Sequence, residues 1–426
     1  VAMLVVASVV AGAGVELALS GMLANRDTRV RAAERAGVAF DDRPHFQFVM
    51  DARAAGEDMT LAVHPFHFSG QPLYVDGIPT VPLGGVASTP TVLCNESGSY
   101  TTFISDEFGF HNPPIGWTQL PELEVVVVGD SLAQGSCVAD GDGFVSILQR
   151  MFPRTVNLAS SGNGPLVQLA TIREYLNEGN NGNNGTIQRY RARARRKVRF
   201  VVWTYFERND LLDLTRERDD PLLLKYLERG FSQGLSERQS EIDDALNAFV
   251  ELGFRKDQES LTKQETRVGV NYNVLSLLPN TKQLLLQAWA VYEERLQADG
   301  RLIGSETLDL YAHILQEATA SVRAAGGQLL FLYLPEFGRY EGRMSRGARA
   351  KEAILTMVGA ADVDLIDLDP EFRNTGDPES LFPFRLDGHY NEEGNRIVAE
   401  VVARALHVRG LIAGGGQAPN QSVNQR

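Results

Sequence analysis

The stretch PELEVVVVGDSLAQGS, residues 121–136, decides how the rest of the chain is read. Glu124–Val128 is almost purely β-branched, the composition of a strand buried on both faces of a parallel sheet. It ends at Gly129-Asp130-Ser131, a turn triplet. Further runs of this kind lie at Val198–Phe206 (VRFVVWTYF) and Gln328–Leu334 (QLLFLYL), with weaker ones at Val363–Leu368 and Thr155–Leu158. Helical patterns fall between them, at about 143–152, 165–177, 281–298, 305–325, 347–358 and 392–408. Strands alternating with helices predict an α/β fold, a parallel sheet covered on both faces. Ligands of such sheets bind beyond the carboxyl ends of the strands.

Four polar clusters fall at those ends. They are Gly129-Asp130-Ser131, Ala159-Ser160-Ser161-Gly162, Glu207-Arg208-Asn209-Asp210 and Leu386-Asp387-Gly388-His389. The residue types point to acyl transfer. A serine hydroxyl is a poor nucleophile near neutral pH and needs an adjacent base. His389 is the candidate base, and Asp387 the candidate acid that orients the imidazole and stabilises its charged form. The oxyanion of a tetrahedral intermediate needs fixed donors. The Ser131 N–H, the Gly162 N–H and the Asn209 amide are the candidates, each typically worth about 3–4 kcal/mol in the transition state.

These blocks, in this order, resemble the SGNH hydrolases, or GDSL esterases. The resemblance rests on GDS at 129–131, NLASSG ending at Gly162, YFERND containing Asn209, and DGHYNEEG containing His389. It spans roughly 123–410, with a large insertion. ISDEFGFHNP at 105–114 resembles the segment that precedes the GDS block in membrane-anchored bacterial members, with His111 where Arg is usual. The resemblance implies a flavodoxin-like three-layer sandwich, Ser131 as nucleophile, Gly162 and Asn209 as oxyanion donors and His389 as base. It departs at one point. The family's Asp usually stands three residues before the His, where this chain has Leu386. Asp387 stands two before, an Asp-x-His spacing found in branches similar to alginate O-acetyltransferases.

Val1–Leu19 carries a single charge, Glu16, and is long enough at about 1.5 Å per residue to cross a bilayer core. It is expected to be a transmembrane or signal-anchor helix, over 1–22. Residues 23–120 read as a mixed region of short strands, and 121–412 as the hydrolase-like domain, with a helical insertion at about 211–300. A low-complexity tail follows at 413–426. Cys94 and Cys137 exclude a disulfide-dense scaffold; they either pair beside the nucleophile helix or are two separate buried thiols. His64 and His67 suggest a metal pair, but Pro65 between them and the lack of nearby ligand partners argue against ligation.

Forty-one basic against 54 acidic residues give a net charge of −13, against nucleic acid as a main partner. One basic run, RYRARARRKVR at 189–199, follows a Gly/Asn-rich loop and is a local positive patch. No dinucleotide or Walker-type fingerprint is present, and the chemistry calls for no cofactor or metal. The expectation is a serine esterase or O-acyltransferase forming an acyl-enzyme at Ser131. Its expected substrate is an acylated cell-surface glycan or a related ester. The family branch implies a membrane-anchored protein with an extracytoplasmic catalytic domain. A non-catalytic glycan-binding or assembly protein is the alternative from a different class.

Overall fold

A computed structural model of the chain describes residues 28–114, 116–176, 197–266 and 303–412. The anchor candidate 1–22, the Gly/Asn-rich loop, most of the basic run, the 281–298 helix and the 413–426 tail lie outside these residues. Among the described residues no helix is long and apolar enough to cross a membrane. The membrane expectation therefore finds no support there.

The five strands read from the sequence form one parallel sheet. In chain order, with β1–β5 being the short N-terminal strands given below, they are β6 (Glu122–Val128), β7 (Thr155–Asn157), β8 (Lys197–Phe206), β9 (Gln328–Leu334) and β10 (Asp364–Asp367). Their spatial order is β10-β9-β8-β6-β7. Counted along the sheet from the β7 edge this is 2-1-3-4-5, the flavodoxin-like order. The chain leaves β6 toward β7, then returns to β8 on the other side. β6 thus sits at the point where the strand order reverses, and its carboxyl end opens into the crevice between the two directions.

Every second residue of β6 faces a different core. Val126 and Val128 pack with Leu169, Ile172, Tyr311 and Ile314, from helices Pro165–Tyr175 and Ser305–Ala324. Val125 and Val127 pack with Phe144, Leu148, Val398 and Val402, from helices Phe144–Met151 and Glu392–Val408. All four valines are fully buried. A strand that is apolar on both faces can sit only between two helical layers, which is why the valine run carried so much information.

The N-terminal region is built differently. Helices Thr28–Ala36 and His45–Ala54 precede a three-stranded sheet of β1 (Thr60–Leu61), β4 (Pro90–Val92) and β5 (Thr102–Ile104), and a hairpin of β2 (Leu73–Val75) and β3 (Ile78–Thr80). Its aromatic residues Phe108, Phe110 and Trp117 join the core on the Val126 side, against Tyr175. Buried Asp106 organises the segment that resembles anchored family members. It accepts from the N–H groups of Phe108 and Phe110, from Asn112 and from the Trp117 indole. Burial pushes its carboxyl up to about 6. Asn112 then pairs with both the N–H and C=O of Asn157 at the end of β7. His111 bridges the Gln134 carbonyl and Asp140. The residue that departs from the family's usual Arg is thus a buried tie to the helix that begins at Ser131.

After β8 the insertion begins with helix Asp210–Glu217 and continues to helix Gln239–Thr266. Ile242, Leu246, Val250 and Phe254 of the latter are buried against the N-terminal region and the Val126-side core.

Candidate active site

β6 delivers Ser131 to the crevice through a helix start. Asp130 is the cap, its Oδ1 accepting the Leu132 N–H at 3.0 Å. Ser131 is therefore the first residue of helix Ser131–Gln134, where backbone N–H groups point outward. Across the crevice, His389 lies just ahead of helix Glu392–Val408, which Asn391 caps. The imidazole Nε2 is 2.8 Å from the Ser131 hydroxyl. These two residues are 258 positions apart in sequence and in direct contact in the fold.

The other ring nitrogen meets a residue that strand-end reasoning does not reach. Glu96 Oε1 lies 3.2 Å from His389 Nδ1. The approach is close in distance but not aligned as a full hydrogen bond; such contacts commonly tighten only when substrate is bound. Glu96 Oε2 accepts the His389 backbone N–H at 2.8 Å. Arg29 donates to Oε1 at 2.9 Å. Burial pushes the Glu96 carboxyl up, but the His389 contacts and the Arg29 cation outweigh it, so the group sits below its ordinary range.

Asp387 does not fill the acid role expected from the sequence. Its carboxylate turns outward and pairs with Arg208, both side chains about half exposed. Only its backbone carbonyl faces inward, accepting from Arg29 at 2.7 Å. The physical reason is local. The space beside Nδ1 is filled by Glu96, and the Arg208 guanidinium from the loop after β8 captures the Asp387 carboxylate at the surface.

Cys94 and Cys137 are disulfide-bonded, with Cα atoms 5.1 Å apart. The bond joins the segment carrying Glu96, two residues on, to the turn after the Ser131 helix. This is the signal by which sequence reasoning could have found the carboxylate beside His389. Pairing the two cysteines brings residue 96 beside the nucleophile. Cys94, Cys137 and His389 are also the one grouping of three potential metal-ligand residues among the described residues, but both sulfurs are consumed by the disulfide. His64 and His67 form no such group there. His64 is partly buried, with Nδ1 3.1 Å from the Ser160 hydroxyl. Burial, aided by His67, pushes its pKa down to about 3.

The oxyanion candidates lie on the loops around Ser131. Gly162 has φ of +72°, a left-handed conformation that a side chain strains, and the Phe66 ring lies where its Cβ would be. Asn209 precedes helix Asp210–Glu217 and donates from Nδ2 to Asp213 at 2.9 Å. Beneath it is a buried acidic floor of Asp130, Asp210, Asp213 and Glu217. Burial raises all four carboxyls, Asp213 to about 7 and Glu217 to about 8, the latter also through the charge of Asp213. Glu217 accepts from the N–H groups of Gly164 and Leu166, fixing the start of the helix behind Gly162.

Residues 289–425 match the family described as the SGNH hydrolase-like domain of the acetyltransferase AlgX. Among solved structures the chain is similar to a lipolytic protein of the G-D-S-L family from Veillonella parvula. That likeness has 12% identity, covers 66% of this chain and 97% of that one, and has a TM-score of 0.33. It is also similar to protein YXIM of Bacillus subtilis at 12% identity, covering 74% of this chain and 66% of that one, with a TM-score of 0.33. At such scores neither likeness bears on the chemistry. No curated protein matches the chain.

Proposed function

We propose that this chain is a serine acyl-ester hydrolase of the SGNH type that works through Ser131, His389 and Glu96. The observation that carries the reading is the continuous contact from the Ser131 hydroxyl to Nε2 and from Nδ1 to the Glu96 carboxylate. With its proton on Nδ1, His389 accepts the serine proton at Nε2 as Oγ attacks the ester carbonyl. Glu96 holds that tautomer and stabilises the imidazolium. The imidazolium then protonates the leaving alcohol, and water, activated by the same base, releases the acyl group. The N–H groups of Ser131 and Gly162 and the Asn209 amide are the proposed donors to the oxyanion. For Asn209 this requires the amide to present a hydrogen not held by Asp213.

A second reading uses the same residues, with a sugar hydroxyl in place of water. The match to a domain described by an acetyltransferase favours keeping it. An acylated cell-surface glycan, or a smaller ester of that kind, is the substrate class we propose. The disulfide supports an oxidising, extracytoplasmic setting.

The test is labelling with a fluorophosphonate, together with release of acetate from acetyl esters. Wild type labels and turns over, and Ser131→Ala loses labelling and more than about a thousandfold in kcat. A folded wild type that neither labels nor turns over overturns the reading. Rate enhancement by added glycan acceptor, with transfer of the acyl group to it, selects the transferase form.

A further inference from the structure

The contact that completes the catalytic acid comes from the start of the described chain. We propose that Arg29 is a positioning residue for this reaction: it locks the segment bearing Glu96 to the segment bearing His389, making the N-terminal helix part of the catalytic machinery. This rests on the Ser131-His389-Glu96 reading given above.

One nitrogen of Arg29, Nη2, donates at once to Glu96 Oε1 at 2.9 Å and to the Asp387 carbonyl at 2.7 Å. These partners are 67 and 358 positions away. They belong to the two segments whose relative position sets the distance from Nδ1 to the acid. The ion pair is partly shielded, with Arg29 26% and Glu96 12% exposed, so it is screened less than a surface pair. Each Glu96 oxygen is thereby assigned. Oε1 faces Nδ1 and Arg29, and Oε2 holds the His389 backbone N–H.

The intervening glycine is shaped to the same contact. A Cβ on Gly388 would lie 2.3 Å from Glu96 Oε2 and 2.6 Å from Arg29 Nη2. Carboxylate and guanidinium therefore close together over a residue with no side chain. The helix Thr28–Ala36 that carries Arg29 is anchored independently of this pair. Val30, Ala32 and Ala33 are buried, and the helix packs against the turn Pro383–Arg385, just before the base. Further on, Asp41 accepts from Asn95 through its carbonyl and donates its N–H to Gly98. The N-terminal segment thus grips the Glu96 loop on both sides.

Arg29 touches no reacting atom, so its effect must pass through Glu96 and His389. The charged groups around that pair are Arg29, Asp387 with its partner Arg208, and buried Asp130. Removing the Arg29 cation lets Glu96 take up a proton at higher pH. This change moves the acidic limb of the rate profile to higher pH.

The experiment compares pH profiles of kcat and kcat/KM on an acetyl ester for wild type, Arg29→Ala, Arg29→Lys and Glu96→Gln, with thermal melts confirming folding. Arg29→Ala is expected to lower kcat about ten- to a hundredfold, the effect of losing a charge-assisted contact. KM should change little and the acidic limb should move up. Arg29→Lys, which keeps a cation able to donate to more than one acceptor, should recover much of kcat and return the limb toward its wild-type position. An active wild type overturns the Arg29 role if Arg29→Ala matches it, or if the loss falls on KM with the limb unmoved. The role is also overturned if Arg29→Lys is no better than Arg29→Ala in a folded protein. A wild type with no esterase activity overturns the hydrolase reading itself, and Arg29 with it.

Discussion

Two regions of unlike construction meet at the His389 imidazole. The strand-end loops of the parallel sheet bring Ser131 to one side of the ring, through a strand whose four buried valines leave it no other place. The N-terminal region brings Glu96 to the other side, from a loop after a three-residue strand. In the first region the backbone frame positions the side chain. In the second, a disulfide, an Arg29 ion pair and a set of buried polar contacts do the work that regular structure does elsewhere. The two halves of the proposed catalytic chain are therefore held by different physics and should fail in different ways.

The sharpest separation of the two regions is between their carboxylates. Glu96→Gln should lower kcat on the order of a thousandfold or more, because the amide cannot stabilise the imidazolium and can favour the wrong tautomer. Asp387→Asn breaks an exposed pair with Arg208 and should change kcat less than about threefold. The opposite ranking would return the acid role to the strand-end loop and dissolve the contrast between the regions.

Breaking the staple probes the N-terminal side alone. The Cys94–Cys137 bond closes a separation of 43 residues, and Glu96 lies inside that loop, two residues after Cys94. The Cys94→Ser/Cys137→Ser double variant should lose about 2–4 kcal/mol of stability by urea unfolding. Well below its melting temperature it should also lose about tenfold in kcat, since looser support of a positioned group costs rate. Fluorophosphonate labelling of Ser131 should slow but persist. A variant that is less stable yet fully active would mean that Arg29 and the polar contacts hold Glu96 without the disulfide.

The smallest effect concerns the floor on the strand-end side. Glu217 has a usual carboxyl value near 4.5, raised to about 8 by burial and by Asp213. Across that interval the folded protein holds a proton that the unfolded chain has released. Its contribution to stability is full below about 4.5 and is lost as pH rises toward 8. Glu217→Gln should flatten the decline in melting temperature between those limits by the share of one proton. A decline of unchanged slope would show that Glu217 ionises in the folded state.

Much of this architecture could be read along the chain. Purely local pattern located all five strands and their parallel sheet, and the flavodoxin-like order was what the resemblance to the SGNH hydrolases implied. Ser131, Gly162 and Asn209 could be placed at one crevice because each follows a strand of a parallel sheet, whereas His389 lies beyond a helix and two turns after β10 and was placed by its motif. Asp387 was misread because spacing alone does not say which way a side chain points. Two residues before the histidine, its carboxylate faces Arg208 and solvent. Glu96 was hidden because its loop has no period of its own, and Arg29 because a helical pattern does not say which distant segment the helix meets. Their one sequence-level clue was the second cysteine, which becomes a constraint only once the pairing is known.

By itself, then, the sequence determined the sheet, the burial of β6 on both faces, and the serine and histidine near the switch point. Those follow from hydrophobic periodicity, which acts over a few residues and repeats. Tertiary structure alone decided which carboxylate stands beside His389, the cation behind it and the outward turn of Asp387. Those depend on which distant segments compete for one space beside a ring. That competition is settled by packing, by a covalent bond and by a buried charge pair, none of which leaves a local period.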